Sequence, residues 1–167
     1  MDMTVKFDAL VRYILEGIDD DIHDQKGSYH VASGGDSRFF GNRGAGIILY
    51  CPETDKFLLG LRSQQVNEPG QWGTFGGKIE DGEDPKEAAI RETREEIDYH
   101  GPISLRLLRI FKNANFEFYN YFGTVPREFK PRLDWENSDA RWFRLDEFPK
   151  NLHFGLQHIL PDLQSVA

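Results

Sequence analysis

The sequence predicts a mixed α/β domain, and three observations predict it. Short apolar runs bounded by Gly, Pro or Asp recur between residues 44 and 145, as strands require. A helix with clear start signals interrupts them after Asp84, and a second apolar stripe at helical spacing closes the chain. Apolar residues make up 39% of the 167, so one core of ordinary domain size can form. Thirteen Phe, six Tyr and three Trp require such a core, because large rings are costly to leave in water.

The elements follow in order. Residues 4–18 read as an amphipathic helix, with Phe7, Leu10, Val11, Ile14 and Ile18 on one stripe and Thr4 or Asp8 at its start. Residues 19–45 are acidic and then rich in Gly, Ser and Asn, without periodicity, and read as a linker or surface loop interrupted by Phe39-Phe40. Ala45–Cys51 is a buried strand, and Phe57–Leu61 returns beside it after the turn Pro52-Glu53-Thr54-Asp55. Gly76-Gly77 and Gly82 read as a loop. Asp84 as N-cap, Pro85 at the first position and Glu87 in the capping box start a helix that runs to Ile97. Ile103–Phe111 and Phe116–Val125 form strands joined by Lys112-Asn113-Ala114-Asn115. The second carries Phe116, Phe118, Tyr119, Tyr121 and Phe122, so both of its faces are expected to be covered. Ala140–Leu145 is a further strand, and Leu156, Ile159, Leu160 and Leu163 place a last helix over 154–163.

Composition excludes several functions. Twenty Lys and Arg against 28 Asp and Glu give a net charge of −8, which denies the chain a general hold on phosphate backbones or anionic lipid. No extended nucleic-acid binding and no membrane partner are expected, and an anionic substrate would need placed cations or metal. The single cysteine, Cys51, excludes an internal disulfide framework and a multi-cysteine zinc site. No apolar run approaches about 18 residues and the N-terminus lacks the form of a signal peptide, so the cytoplasm is the expected compartment.

The chemistry is concentrated in residues 76–99. On the predicted helix Glu92, Glu95 and Glu96 fall at i, i+3 and i+4, which gathers three carboxylates on one face. Like charges that close are tolerated when basic neighbours or hard dications sit among them. Arg91, four residues before Glu95, is one such neighbour. A donor set of oxygen alone, with no His or Cys nearby, favours magnesium or manganese over zinc. Ala89, Thr93 and Ile97 form a neighbouring stripe that packs on the sheet.

With the glycines before it, this stretch resembles the Nudix hydrolase motif: Gly, five residues, Glu, seven residues, Arg-Glu, an aliphatic residue, any residue, Glu-Glu, any residue, Gly, aliphatic. Gly77, Glu83, Arg91, Glu92, Glu95 and Glu96 fall in register with it. Thr93 stands at an aliphatic position, and Asp98 replaces the closing glycine, where it must accept a left-handed backbone. The strand pattern extends the resemblance over about residues 44–150, with 44–167 as the domain and 1–43 as an N-terminal extension. The resemblance implies an α/β/α sandwich with a central mixed sheet and metal-dependent hydrolysis of a nucleoside diphosphate linked to another group. It implies Glu92, Glu96 and Glu95 as ligands of Mg2+, with Mn2+ as substitute, joined by the Gly77 carbonyl. It implies Arg91 as the residue that orients the glutamates, Glu83 as support for the loop, and Glu95 or a later carboxylate, Glu136, as base; Glu136 stands where relatives often carry an extra ligand.

For substrate choice, Phe75-Gly76-Gly77-Lys78 resembles the branch that acts on oxidised purine nucleoside triphosphates, with Phe75 as a substrate contact, Lys78 on a phosphate and Arg62 on a phosphate or in a salt bridge. ADP-ribose and nucleotide-sugar hydrolysis remain open, as do a noncatalytic nucleotide sensor of the same fold and action on capped or triphosphate RNA ends. Trp72, Phe111, Phe116 and Tyr119 are candidate base-stacking rings. The N-terminal extension could cap the sheet, lid the site or make a homodimer contact.

Overall fold

The structure is a computed structural model that describes residues 43–66, 68–113 and 116–166. The predicted helix over 4–18, most of the linker and the Phe39-Phe40 pair lie outside the described residues. Strand β1 runs Arg43–Cys51, so the last three residues assigned to the linker belong to it. β2 (Lys56–Arg62), β3 (Trp72–Gly73), β4 (Phe75–Lys78), helix α1 (Pro85–Ile97), β5 (Ser104–Asn113), β6 (Phe116–Thr124), β7 (Asn137–Phe143), a short 3-10 turn and helix α2 (Phe154–Val166) follow.

The sheet is mixed. β1 lies parallel to β6, with Ile47 opposite Tyr121, and antiparallel to both β2 and β4. β2 and β4 share one edge of β1: β2 pairs with its end (Leu49–Cys51) and β4 with its start (Gly44–Ile47). The strands β1 and β2 therefore part, and the segment Trp72–Lys78 fills the gap, β3 on β2 and β4 on β1. The predicted loop at Gly76-Gly77 is thus a strand. It was hidden because four residues, two of them glycine, carry no alternation to read. Gly46 faces Gly76 in this ladder, and a Cβ on Gly76 would sit 2.5 Å from Gly46 Cα, so the two backbones approach as only glycines permit.

Alternation along β1 divides the core. Ala45, Ile47 and Leu49 face α1 with Leu58, Phe75, Ala88, Ala89, Ile97 and Tyr121. Ile48 faces α2 with Phe57, Leu59, Phe122, Leu156, Ile159 and Leu163. A helix on each face of a mixed sheet is the α/β/α sandwich. As expected, β6 is covered on both sides, Tyr121 toward α1 and Phe122 toward α2.

Helix α1 starts where its signals place it: Asp84 accepts a 2.9 Å hydrogen bond from the Lys86 amide, and Pro85 follows. It ends with Asp98 in the left-handed region (φ 53, ψ 38), its amide donating to the Arg94 carbonyl, which is the conformation the missing glycine would have taken without strain.

Candidate active site

The site is built where β4 ends against α1. β4 lays Gly77 directly under Glu92: a Cβ on Gly77 would fall 2.6 Å from the Glu92 carboxylate carbon. One strand position on, Lys78 pairs with Gly44, and alternation puts its side chain on the face away from Glu92. The Lys78 carbonyl, however, accepts from Arg91 Nη2 at 2.9 Å.

Arg91 is the hub. Its Nε donates to Glu83 Oε1 at 2.9 Å and its Nη2 to Glu83 Oε2 at 3.0 Å, while Nη1 donates to Glu92 Oε1 at 2.8 Å and lies 3.5 Å from Glu95 Oε1. One rigid guanidinium thus fixes the loop through Glu83 and the helix face through Glu92. The Arg91 hydrogen bonds hold the Glu83 carboxyl below its ordinary range, and Glu83 in turn accepts from the Glu80 amide at 3.0 Å.

Glu96 is the buried member, only 4% exposed, and accepts from the Gly76 amide at 3.2 Å. Burial pushes its carboxyl well above the usual range, and the negative charges of Glu136, Glu92 and Asp134 push it further; the Gly76 N–H opposes them. Asp134 and Glu136 reach the site on the segment before β7, tied down by Asp134 N–H donating to the Glu96 carbonyl (3.1 Å) and Ser63 N–H to the Glu136 carbonyl (2.8 Å). Glu136 N–H closes the turn on Asp134 Oδ1 at 3.0 Å. Asp134 was not singled out in the sequence; an acid two residues before Glu136 in the same turn was the available signal. Glu95 stands apart, its side chain 58% exposed.

Arg62, at the end of β2, lies within the field of Glu96, Glu136 and Glu68; burial lowers its pKa to about 10 against their pull. Phe75 is different. Its ring is 0% exposed and packs against Gly60, where a Cβ would meet it at 2.7 Å, so its surface is spent on the core. Trp72, Phe111 and Phe116 are also buried, and Tyr119 takes a hydrogen bond from Arg43 while donating to Glu117. Beside Glu95 and Asp134 a groove of about 470 Å³ opens, lined also by Arg94, Arg132 and Leu133.

The residues fit a hard dication by donor chemistry. Glu92, Glu95, Glu96, Glu136 and Asp134 offer only carboxylate oxygen, and a buried Glu96 among like charges is a cost that bound cation would relieve. Among the described residues no three such side chains are drawn together closely enough to enclose an ion as they stand. Arg91 and the Gly76 amide hold Glu92 and Glu96 separately.

Residues 42–163 match the NUDIX domain, and the chain belongs to that family. Diphosphoinositol polyphosphate phosphohydrolase 2 of Mus musculus is 33% identical over 124 residues, covering 70% of this chain and 65% of that protein. The m7GpppN-mRNA hydrolase dcap-2 of Caenorhabditis elegans is 32% identical over 111 residues, 62% of this chain and 14% of that protein. Among solved structures, a Nudix hydrolase from M. smegmatis, RenU, superposes with a TM-score of 0.63 at 18% identity, over 75% of this chain and 84% of that one, and so shares the fold. The chain thus spans somewhat under two thirds of the length of the first of these relatives and a small part of the second. Among the described residues no helix is long and apolar enough to cross a membrane.

Proposed function

We propose that this chain is a divalent-metal-dependent hydrolase of the diphosphate linkage in a nucleotide derivative. The observation that carries the reading is the placement of Glu96: a buried carboxylate surrounded by Glu92, Glu136 and Asp134, on a helix face organised by Arg91. A fold gains nothing from such crowding, and a cation site does. Glu92 and Glu96, with Glu95, Glu136 and the Gly77 carbonyl, would hold Mg2+ or Mn2+. Such a cation, when bound, neutralises charge on the diphosphate and lowers the pKa of the attacking water.

The chain's own residues supply the rest. Arg91 fixes Glu92, the end of β4 through the Lys78 carbonyl and, through Glu83, the loop that follows. Glu95, exposed and only 3.5 Å from Arg91, is free enough to accept the proton of the attacking water, with Glu136 as the second candidate. Arg62 places a guanidinium beside Glu96 and Glu136, where a phosphate oxygen would meet it. The relatives' names point to diphosphoinositol polyphosphates and capped RNA; the acidity of this chain favours a small free substrate over extended nucleic acid, in the cytoplasm.

The test is a panel of nucleoside triphosphates, ADP-ribose, nucleotide sugars and dinucleoside polyphosphates assayed with magnesium and with manganese. Glu96→Gln keeps the shape and removes the charge. It is expected to lower turnover by about a hundredfold or more, as loss of an electrostatic group in the site does, while nucleotide binding persists. Turnover unchanged in that variant refutes the assignment; no turnover by the unaltered protein on any substrate favours a nucleotide sensor instead.

A further inference from the structure

β5 is an outermost strand of the sheet, and among the described residues no strand pairs with its outer edge. Ten residues of open edge are a hazard, because unpaired N–H and C=O groups recruit another strand. β5 carries Arg106, Arg109 and Lys112 and no acid, in a chain whose net charge is −8. Two of these cations are engaged within the domain, Arg109 with Asp162 at 2.7 Å and Lys112 with Glu117 at 3.7 Å. Arg106 pairs with no carboxylate among the described residues and lies over the Phe122 ring at 5.3 Å. Beside it Leu107 is 47% exposed, on the α1 side of the sheet opposite Tyr121.

An edge that is cationic and apolar together fits a segment that is acidic and apolar together, and this chain has one. Residues 16–24 carry Glu16, Asp19, Asp20, Asp21 and Asp24 and no Lys or Arg. They directly follow the stripe of Phe7, Leu10, Val11 and Ile14. Both stretches lie outside the described residues, which begin at Arg43. Arg43 and Lys112 flank the same residue of β6, Glu117, so the chain enters the sheet two strands from β5. The outer edge of β5 is then three strand spacings away, about 14 Å, with about 20 Å more along the strand to Arg106. The 18 residues between Asp24 and Arg43 can span about 60 Å. A second copy of β5 fits worse, because antiparallel pairing about Leu107 and Leu108 sets Arg106 against the other copy's Arg109, and like charges opposite each other repel.

We infer that residues 4–24 of this chain dock on the outer edge of β5, the apolar stripe against Leu107 and the acids against Arg106. The contact closes the sheet and is independent of the hydrolase reading above.

The test is hydrogen exchange, read by mass spectrometry on the full chain and on charge-reversed variants. The β5 amides that do not bond β6 are expected to exchange at least about tenfold more slowly than those of an open strand. Arg106→Glu alone, and Asp19→Lys, Asp20→Lys and Asp21→Lys together, should each speed that exchange by about fivefold. Combining all four substitutions should bring it back to within about twofold of the original, since the charges are then exchanged and not lost. The β1 amides in the same spectra report whether each variant keeps the fold. Arg106→Gln, which removes the charge alone, should give a smaller rise in the same direction and serves if the reversal unfolds the domain. Sedimentation must find the protected species to be a monomer. Open-strand exchange at β5 in the unaltered chain overturns the inference. So do reversals without effect, a combination no slower than either reversal, or protection confined to a dimer.

Discussion

Gly76 and Gly77 are neighbours in one strand, yet replacing each by alanine is expected to damage different properties. A Cβ on Gly76 would lie 2.5 Å from Gly46 Cα and closer still to the Ala45 carbonyl oxygen, both of them backbone atoms of the central strand β1. Backbone within a ladder has nowhere to go, so Gly76→Ala must part β4 from β1 or distort both. Overpacking of this kind costs about 3 kcal/mol, the upper part of its usual range. For a domain of this size that is a fall in Tm of about 10 °C. A Cβ on Gly77 would instead meet the Glu92 carboxylate at 2.6 Å, and ordinary contact begins at 3.4 Å. The obstacle is the end of a flexible side chain, which yields by about 0.8 Å and loses its 2.8 Å bond from Arg91. Stability should change by less than about 1 kcal/mol, while a displacement near 1 Å in a reacting constellation costs about a hundredfold in rate. Thermal melts and metal-dependent kinetics on the two variants separate these outcomes. Gly77→Ala with the original melting temperature and activity within threefold of the original would refute the claim that β4 positions Glu92.

Thr93 is fully buried and its hydroxyl has no hydrogen-bond partner among the described residues, so Thr93→Val should raise stability by about 1 kcal/mol, read as a Tm gain of about 3 °C with kinetics unaltered. Asp98 sits at φ 53, and Asp98→Gly should relieve about 0.5–1 kcal/mol of backbone strain, whereas Asp98→Ala should lower the melting temperature. His153 is buried beside Arg62 and its folded pKa is depressed to about 3, first by burial and then by that charge. The unfolded chain therefore binds the extra proton below about pH 6.5, and stability falls with pH across the window from about 6.5 toward 3. Between pH 7 and pH 5 that loss is about 2 kcal/mol. His153→Gln should flatten this part of the pH–stability curve in chemical denaturation, and an unchanged slope would show that the imidazole is not buried neutral.

The parts of the fold legible in the sequence were those whose local signal and tertiary role agree. Helix α1 has its cap, its proline and its apolar stripe inside thirteen residues, and its observed limits are the predicted ones. The β1–β2 and β5–β6 pairs announce themselves through apolar runs with turns between them. β3 and β4 could not, because their stability comes from pairing with β2 and β1 across intervening chain and not from their own composition. The site shows the same division. Glu83, Arg91 and Glu92 are close because a loop and one helix turn make them so, and spacing reveals that. The approach of Arg62, Asp134 and Glu136 to Glu96 depends on the end of β2 pairing with the start of β7, which no local pattern encodes. Phe75 illustrates the converse: a ring beside a diagnostic glycine pair reads as a ligand contact until the register shows it opposite Ile47, in the core.

The electrostatics follow from that convergence. A chain at −8 has no business attracting a diphosphate, and the local arrangement makes matters worse by stacking Glu92, Glu96, Asp134 and Glu136 together. Two cationic side chains temper the cluster from opposite sides, Arg91 from the helix surface and Arg62 from the end of β2. Neither neutralises it, since Arg91 is already engaged by Glu83 and Arg62 is shared among three carboxylates. The residual negative charge lies at the one place where β4, α1 and the turn before β7 all hold their backbones fixed. Under the proposed function, carboxylates gathered on fixed backbone favour a small, highly charged cation over a flexible organic one, because a compact ion recovers the Coulomb energy at close range. Under the metal-dependent function proposed above, the overall acidity makes the ion the main attraction for an anion, with Arg62 beside it.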